Sequence, residues 1–110
     1  MNNLRNHVQL MGRLGKDPEI VNLDSGKKLA KFSLATNESY TNAKGEKVEN
    51  TDWHNIVAWG KTAEIIENHV IKGQEILIGG KLTTRSYETK DGDKRYITEV
   101  VCNNLVMTQK

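Results

Sequence analysis

A small all-β barrel of five strands, with one short helix between the third and fourth, is the fold the sequence predicts. Three observations point to it. Apolar and polar residues alternate at period two through successive stretches of the chain. Those stretches are separated by glycine-, aspartate- and asparagine-containing turn signals. One interval alone, directly after the central strand, changes to helical spacing.

Taken in order, Val8, Leu10, Gly12 and Leu14 alternate with His7, Gln9, Met11 and Arg13, giving a first strand with one apolar face. Gly15-Lys16-Asp17-Pro18 ends it, and Pro18 is the only proline present. Residues 19–23 form a short second run before a turn at Asp24-Ser25-Gly26. Alternation returns over 28–38, with Ala30, Phe32 and Leu34 inward and Lys31 and Ser33 outward. Residues 41–49 are polar, contain Gly45, and read as an exposed, mobile loop. The central strand follows, and Gly60 breaks it.

Thr62 then reads as a helix N-cap, with Glu64 in the first turn, where the helix dipole favours an acid. Ala63, Ile66 and Val70 recur at helical spacing, Ile65 and His69 widen the stripe, and Gly73 marks the stop. Beyond it Ile76, Ile78, Gly80 and Leu82 face one way, and Lys81, Thr83, Arg85 and Tyr87 the other. Asp91-Gly92 is a hairpin signal. Over 95–107, Tyr96, Thr98, Val100 and Cys102 share one side, which assigns Tyr96 to the core. Five strands with a helix between the third and fourth is the element order of the oligonucleotide-binding (OB) fold, a partly open barrel. The 110 residues read as one domain, 1–110, with no internal repeat and no linker.

Composition narrows the function classes. A net charge of +2 does not announce a nucleic-acid partner, so the placement of charge has to carry that question. A single cysteine, Cys102, excludes an internal disulfide and a cysteine-based metal site, and reads as a small buried hydrophobe. No apolar run approaches the ~18 residues of a membrane span, and the N-terminus lacks the apolar core of a secretion signal. Together these point to a cytoplasmic protein without a membrane partner. His7, His54 and His69 fall on three different elements, so no metal is expected. Gly60-Lys61-Thr62 resembles the end of a phosphate-binding loop, but Asn55 stands where that loop needs its first glycine. No serine or cysteine has an adjacent base. No cofactor and no catalytic arrangement are expected, and the chain does not read as an enzyme.

The stretch N-T-D-W-H-N-I-V-A-W-G-K at 50–61 holds the only two tryptophans. In a strand Trp53, Asn55, Val57 and Trp59 share one side, while His54, Ile56 and Ala58 take the other. At about 3.3 Å of rise per residue the two indoles stand roughly 20 Å apart, too far for mutual packing. They are either core residues or two separate stacking platforms. Tyr40 and Tyr87 also fall on or just past polar strand faces, and the inward positions are already taken by Val, Ile, Leu and Phe32. That favours display of Tyr40, Trp53, Trp59 and Tyr87 as surfaces on which bases of an unpaired strand stack, each worth roughly 1–3 kcal/mol whatever the base. Lys61, Lys72, Lys81, Arg85 and Arg95 are the candidate phosphate ligands, and Arg85 leads them because Tyr87 follows two residues later on the same face. Neutralising about four phosphates on a single strand would give a log–log salt dependence near −3.

Several motifs resemble those of the bacterial single-stranded DNA-binding proteins. They are V-x-L-x-G-x-L-G-K-D-P-E at 8–19, F-S-L-A-T-N-E-S-Y at 32–40, T-D-W-H-N-I-V-A-W-G-K at 51–61, K-L-T-T-R-S-Y at 81–87 and R-Y-I-T-E-V-V at 95–101. The resemblance implies an OB fold, a homotetramer or dimer, and coating of single-stranded DNA in replication, recombination and repair. It places Tyr40, Trp53, Trp59 and Tyr87 at the family's stacking positions, and Lys61, Lys72, Arg85 and Arg95 along the DNA path. Asn55 stands where relatives can carry arginine. The resemblance implies that the strand holding His7, Gln9 and Met11 pairs with its copy in a neighbouring subunit, with His54 near a subunit contact. It implies no tail-mediated replication partners, because the family's acidic tail has no counterpart before Lys110. A cytoplasmic, nucleoid-associated location goes with it. The alternative is a tail-less primosome accessory or adaptor with secondary nucleic-acid binding. Stacking and phosphate contacts do not read the sugar, which leaves RNA open as a ligand.

Overall fold

The computed structural model describes residues 5–107, so the two ends of the expected 1–110 domain lie outside the described residues. The elements are β1 (Val8–Leu14), β2 (Glu19–Asn22), β3 (Lys28–Thr41), β4 (Lys47–Trp59), α1 (Gly60–His69), β5 (Glu75–Glu88) and β6 (Lys94–Met107). The strands form one sheet in the order β1-β5-β6-β4-β3-β2, and an added β1–β3 pairing closes it. The closed ring is therefore β1, β5, β6, β4 and β3, five strands, with the short β2 attached outside along β3. Counted within the ring, α1 falls between the third and fourth strands, as the element order predicts.

Two of the ring's seams are short. β4 meets β6 in parallel only at Ile56–Val100 and Val57–Val101, and β1 meets β3 only at Arg13–Ala35 and Leu14–Leu34. At the second seam the backbones approach so closely that a Cβ on Gly12 would lie 2.1 Å from the Ala35 carbonyl oxygen. No residue but glycine fits there without moving a strand.

The core is built as the alternation dictates. Ala30, Phe32 and Leu34 of β3, Ile56 and Ala58 of β4, Ile76 and Ile78 of β5, and Val100 and Cys102 of β6 point inward. α1 adds Ala63 and Ile66, with Val70 just beyond it, and so covers one end of the barrel. Ile65 and His69 are exposed, so the buried stripe is narrower than helical spacing suggests. The helix also starts earlier than expected. Trp59 occupies the N-cap position without a side-chain cap, and the first turn holds no acid. Thr62 lies inside the helix because Gly60, at φ +60°, already turns the chain from strand into helix.

Both long hairpins run past the core. In β3–β4 no residue from Thr36 to Asn55 is fully buried, and in β5–β6 none from Lys81 to Thr98 is. The resulting arms give a radius of gyration of 16.2 Å, against roughly 13 Å for a compact chain of this length. The segment read as a mobile loop at 41–49 is shorter as a loop, because Thr41 and residues 47–49 are strand, paired out to Thr41–Lys47. Only a tight turn remains. The Asn42 carboxamide oxygen accepts from the backbone N–H groups of Lys44 and Glu46 at 2.9 and 3.0 Å, and Gly45 takes φ +80°. A side chain that hydrogen-bonds the following backbone is what lets so polar a stretch turn sharply.

Tyr96 is the clearest departure. It lies on the same side of β6 as Val100 and Cys102, yet it is 67% exposed rather than in the core. The strand outlasts the barrel at that point, and the ring instead lies beneath the Lys94 ammonium, 5.8 Å from its centroid.

Candidate nucleic-acid interface

Register decides which side chains share a face, because residues directly opposite in an antiparallel pair point the same way. On β3–β4, Trp59 lies opposite Leu29, Val57 opposite Lys31, Asn55 opposite Ser33 and Trp53 opposite Ala35. The two tryptophans therefore stand at the ends of a row whose middle is Lys31, Ser33 and Asn55. Trp53 is 60% exposed and Trp59 46%. Neither is a core residue. Val57, on their side, is buried where β6 passes beside it.

On β5–β6, Lys81 lies opposite Val101, Arg85 opposite Ile97 and Tyr87 opposite Arg95. One face of that hairpin thus gathers Lys81, Arg85, Tyr87 and Arg95. Tyr87 is 46% exposed and Tyr40 58%. Tyr40 is not brought to the tryptophan face, however. It pairs with Val48 near the hairpin tip, and its parity along β3 matches Phe32 and Leu34, not Ser33 and Ala35.

Between the two arms lies an open cleft of about 280 Å³, walled by Lys16, Asp17 and Glu19 near the β1–β2 turn, by Lys31, Ser33 and Asn55 on β3–β4, and by Arg85, Ile97 and Glu99 on β5–β6. Among the described residues proposed from sequence as phosphate ligands, Arg85 alone lines it. Lys61 is exposed in the first turn of α1, two residues after Trp59. Lys72 is exposed beside the β1–β2 turn, where its backbone N–H donates to the Asp17 carboxylate at 2.8 Å. Lys16 and Lys31 were not singled out by sequence reasoning. The outward alternation of Lys31 was visible, but its position between the tryptophans depends on the β3–β4 register.

Arg85 is held in an ion pair with Glu99, whose side chain is only 8% exposed. The hydrogen bond to Glu99, and then the charge of that carboxylate, push the Arg85 pKa above its already high ordinary value. The cation at the cleft wall is therefore permanent, and part of its field is cancelled.

The expected subunit-contact residues separate into two places. His7, Gln9 and Met11 are exposed on the outer side of β1, and His7 and Gln9 border a shallow depression of about 140 Å³ with Leu77, Leu105 and Val106. From Val8 to Gly12 one edge of β1 pairs with β5 and the other pairs with no strand among the described residues. His54 lies on β4, half-buried, its Nε2 3.0 Å from the Thr36 hydroxyl. Among the described residues no three His, Cys, Asp or Glu side chains gather as metal ligands. No helix among them is long and apolar enough to cross a membrane.

Comparison with known proteins gives one consistent result. The profile described as "Single-strand binding protein family" matches residues 5–108. The chain is 46% identical over 103 residues to single-stranded DNA-binding protein 1 of Chlorobaculum tepidum, covering 93% of this chain and 64% of that protein. It is 44% identical over 104 residues to the single-stranded DNA-binding protein of Bacteroides thetaiotaomicron, covering 93% and 65%. The chain thus spans just under two thirds of the length of these relatives. Among solved structures it is similar to Plasmodium falciparum SSB in complex with ssDNA, with a TM-score of 0.88 and 34% identity over 94% of this chain and 95% of that one.

Proposed function

The chain belongs to the single-strand binding protein family, and from that premise we propose that it coats single-stranded DNA without regard to sequence. Bases stack on Tyr40, Trp53, Trp59 and Tyr87, and phosphates pair with Lys61, Lys72, Lys81, Arg85 and Arg95. The observation that carries this reading is the exposure of all four rings, between 46% and 60%, with Tyr40, Trp53 and Tyr87 on arms that have no core of their own and Trp59 at the strand-to-helix junction. Base stacking needs an open ring face. The β5–β6 face supplies the cations, and the β3–β4 face supplies the tryptophans. The protein acts by binding, in replication, recombination and repair, in the cytoplasm with the nucleoid.

Self-association belongs to the same reading. The unpaired edge of β1 offers backbone donors and acceptors that a second copy can continue as a sheet, with Gln9, Met11 and His7 beside it. A homotetramer or dimer follows. Titration with poly(dT) while following tryptophan fluorescence, paired with light scattering for mass, tests both parts. Quenching with a salt-dependent affinity is expected. Unchanged fluorescence at saturating DNA would remove the stacking claim, and a monomeric mass would remove the edge pairing.

A further inference from the structure

We propose that Gly15 is a positioning residue for Trp53, its bare backbone forming the seat against which the Cζ3–Cη2 edge of the indole lies. The inference rests on the stacking reading above and adds a residue that touches no nucleotide. A Cβ placed on Gly15 would lie 2.6 Å from Cζ3 and 2.7 Å from Cη2 of Trp53, well inside contact distance. Gly15 is not among the glycines with positive φ, so its conformation does not call for glycine. What calls for it is the ring.

The seat is also fixed. The Gly15 N–H donates to the Ser33 carbonyl at 3.4 Å, and the Leu14 carbonyl accepts from the Gly73 N–H at 2.9 Å. Asp17, two residues on, accepts from the Lys72 N–H at 2.8 Å. These contacts tie the β1–β2 turn to β3 on one side and to the α1–β5 connection on the other. A side chain at position 15 therefore displaces the indole, because the turn cannot retreat. With glycine there, the edge of the indole abuts backbone, while the residue stays 60% exposed and so keeps ring surface open to a base. A platform already ordered before binding forfeits less side-chain freedom when the base arrives.

The test is a double-mutant cycle in the full chain, read with poly(dT). Gly15→Ala is expected to weaken binding roughly two- to tenfold, the range set by ordering one side chain. In a Trp53→Ala background the same change is expected to cost nothing further. An equal loss in both backgrounds overturns the proposal, while Trp53→Ala binding as tightly as the parent would instead refute stacking at that ring. A second measurement guards against misfolding of Gly15→Ala. In Trp59→Phe, where Trp53 is the sole indole, time-resolved anisotropy of the free protein is expected to show a ring that moves only with the barrel. Fast independent ring motion would overturn the seat.

Discussion

The Arg85 guanidinium grips the Glu99 carboxylate with Nε 2.9 Å from Oε1 and Nη2 3.4 Å from Oε2. A half-exposed cation on the cleft wall is thus committed to an anion with almost no access to water. Charge-assisted, two-point pairing of this kind is stronger and more directional than a neutral hydrogen bond. Arg85 is consequently aimed and partly neutralised at the same time, which reduces the field it offers to an anion.

Glu99→Gln should therefore tighten binding to poly(dT) at low salt. The amide oxygen can still accept from Arg85, so the side chain keeps its direction while the opposing charge is gone. One additional effective phosphate contact would steepen the log–log salt dependence by about 0.7. Titrations across a salt series measure this, and an unaltered or shallower slope would mean that Arg85 serves Glu99 and not DNA.

Trp53→Ala and Trp59→Ala should each weaken binding by about 1–3 kcal/mol, the range for one lost stacking contact. Thermal stability should hardly change, because both rings already stand half in water. A melt paired with each titration separates the two effects. Unfolding of either variant would return that ring to the core.

Tyr96→Ala should alter stability by no more than about 0.5 kcal/mol, as exposed substitutions usually do. A buried aromatic in its place would cost about 3–5 kcal/mol. Chemical denaturation distinguishes these outcomes, and a loss near the larger figure would mean that the arm packs against something in solution.

Tyr96 also marks where the sequence stops being informative. Alternation assigns a residue to a side of its strand, and it did so correctly for Phe32, Leu34, Ile56, Val100 and Cys102. It carries no sign of where the barrel ends along that strand, so Tyr96, on the core side of β6, falls beyond the core. Tyr40 is the same case on β3, where outward display comes from reaching past the barrel and not from facing away from it. The tryptophans were legible because they lie opposite in parity to Ile56 and Ala58. Lys31 beside Asn55, and Gly15 at the edge of Trp53, depend on register and on the path of a turn, which period two does not encode. The helix start was misplaced for a local reason, since Gly60 at φ +60° begins the turn before any capping side chain appears.

Cys102 gives the protein a small alkaline liability. Burial pushes its thiol above the ordinary value of 9.0, with a backbone hydrogen bond at Asn104 pulling less strongly the other way. As pH rises past that ordinary value the unfolded chain releases the proton while the folded chain keeps it. The unfolded state then binds fewer protons, and stability falls with pH. Denaturation midpoints from pH 7 to pH 10 should decline more in the parent than in Cys102→Ala, whose difference isolates the thiol from lysine and tyrosine titration. Equal declines would show the thiol to be open to water.

The adjacent glycines of β5 should respond oppositely to a methyl group. A Cβ on Gly80 would sit 2.0 Å from the Val101 carbonyl oxygen and 2.8 Å from its carbon, both backbone atoms of the paired strand. The register shift between Gly79 and Gly80 brings β6 that close, and neither atom can rotate away. A Cβ on Gly79 would meet only the Asn104 Cβ, at 4.0 Å, and neither glycine has positive φ. Gly80→Ala should thus destabilise by at least the roughly 1–3 kcal/mol of overpacking, whereas Gly79→Ala should stay within about 0.5 kcal/mol of the parent. Urea denaturation of the two variants decides it. Comparable losses at both positions would mean that the irregular pairing of β5 with β6 can relax around an added methyl.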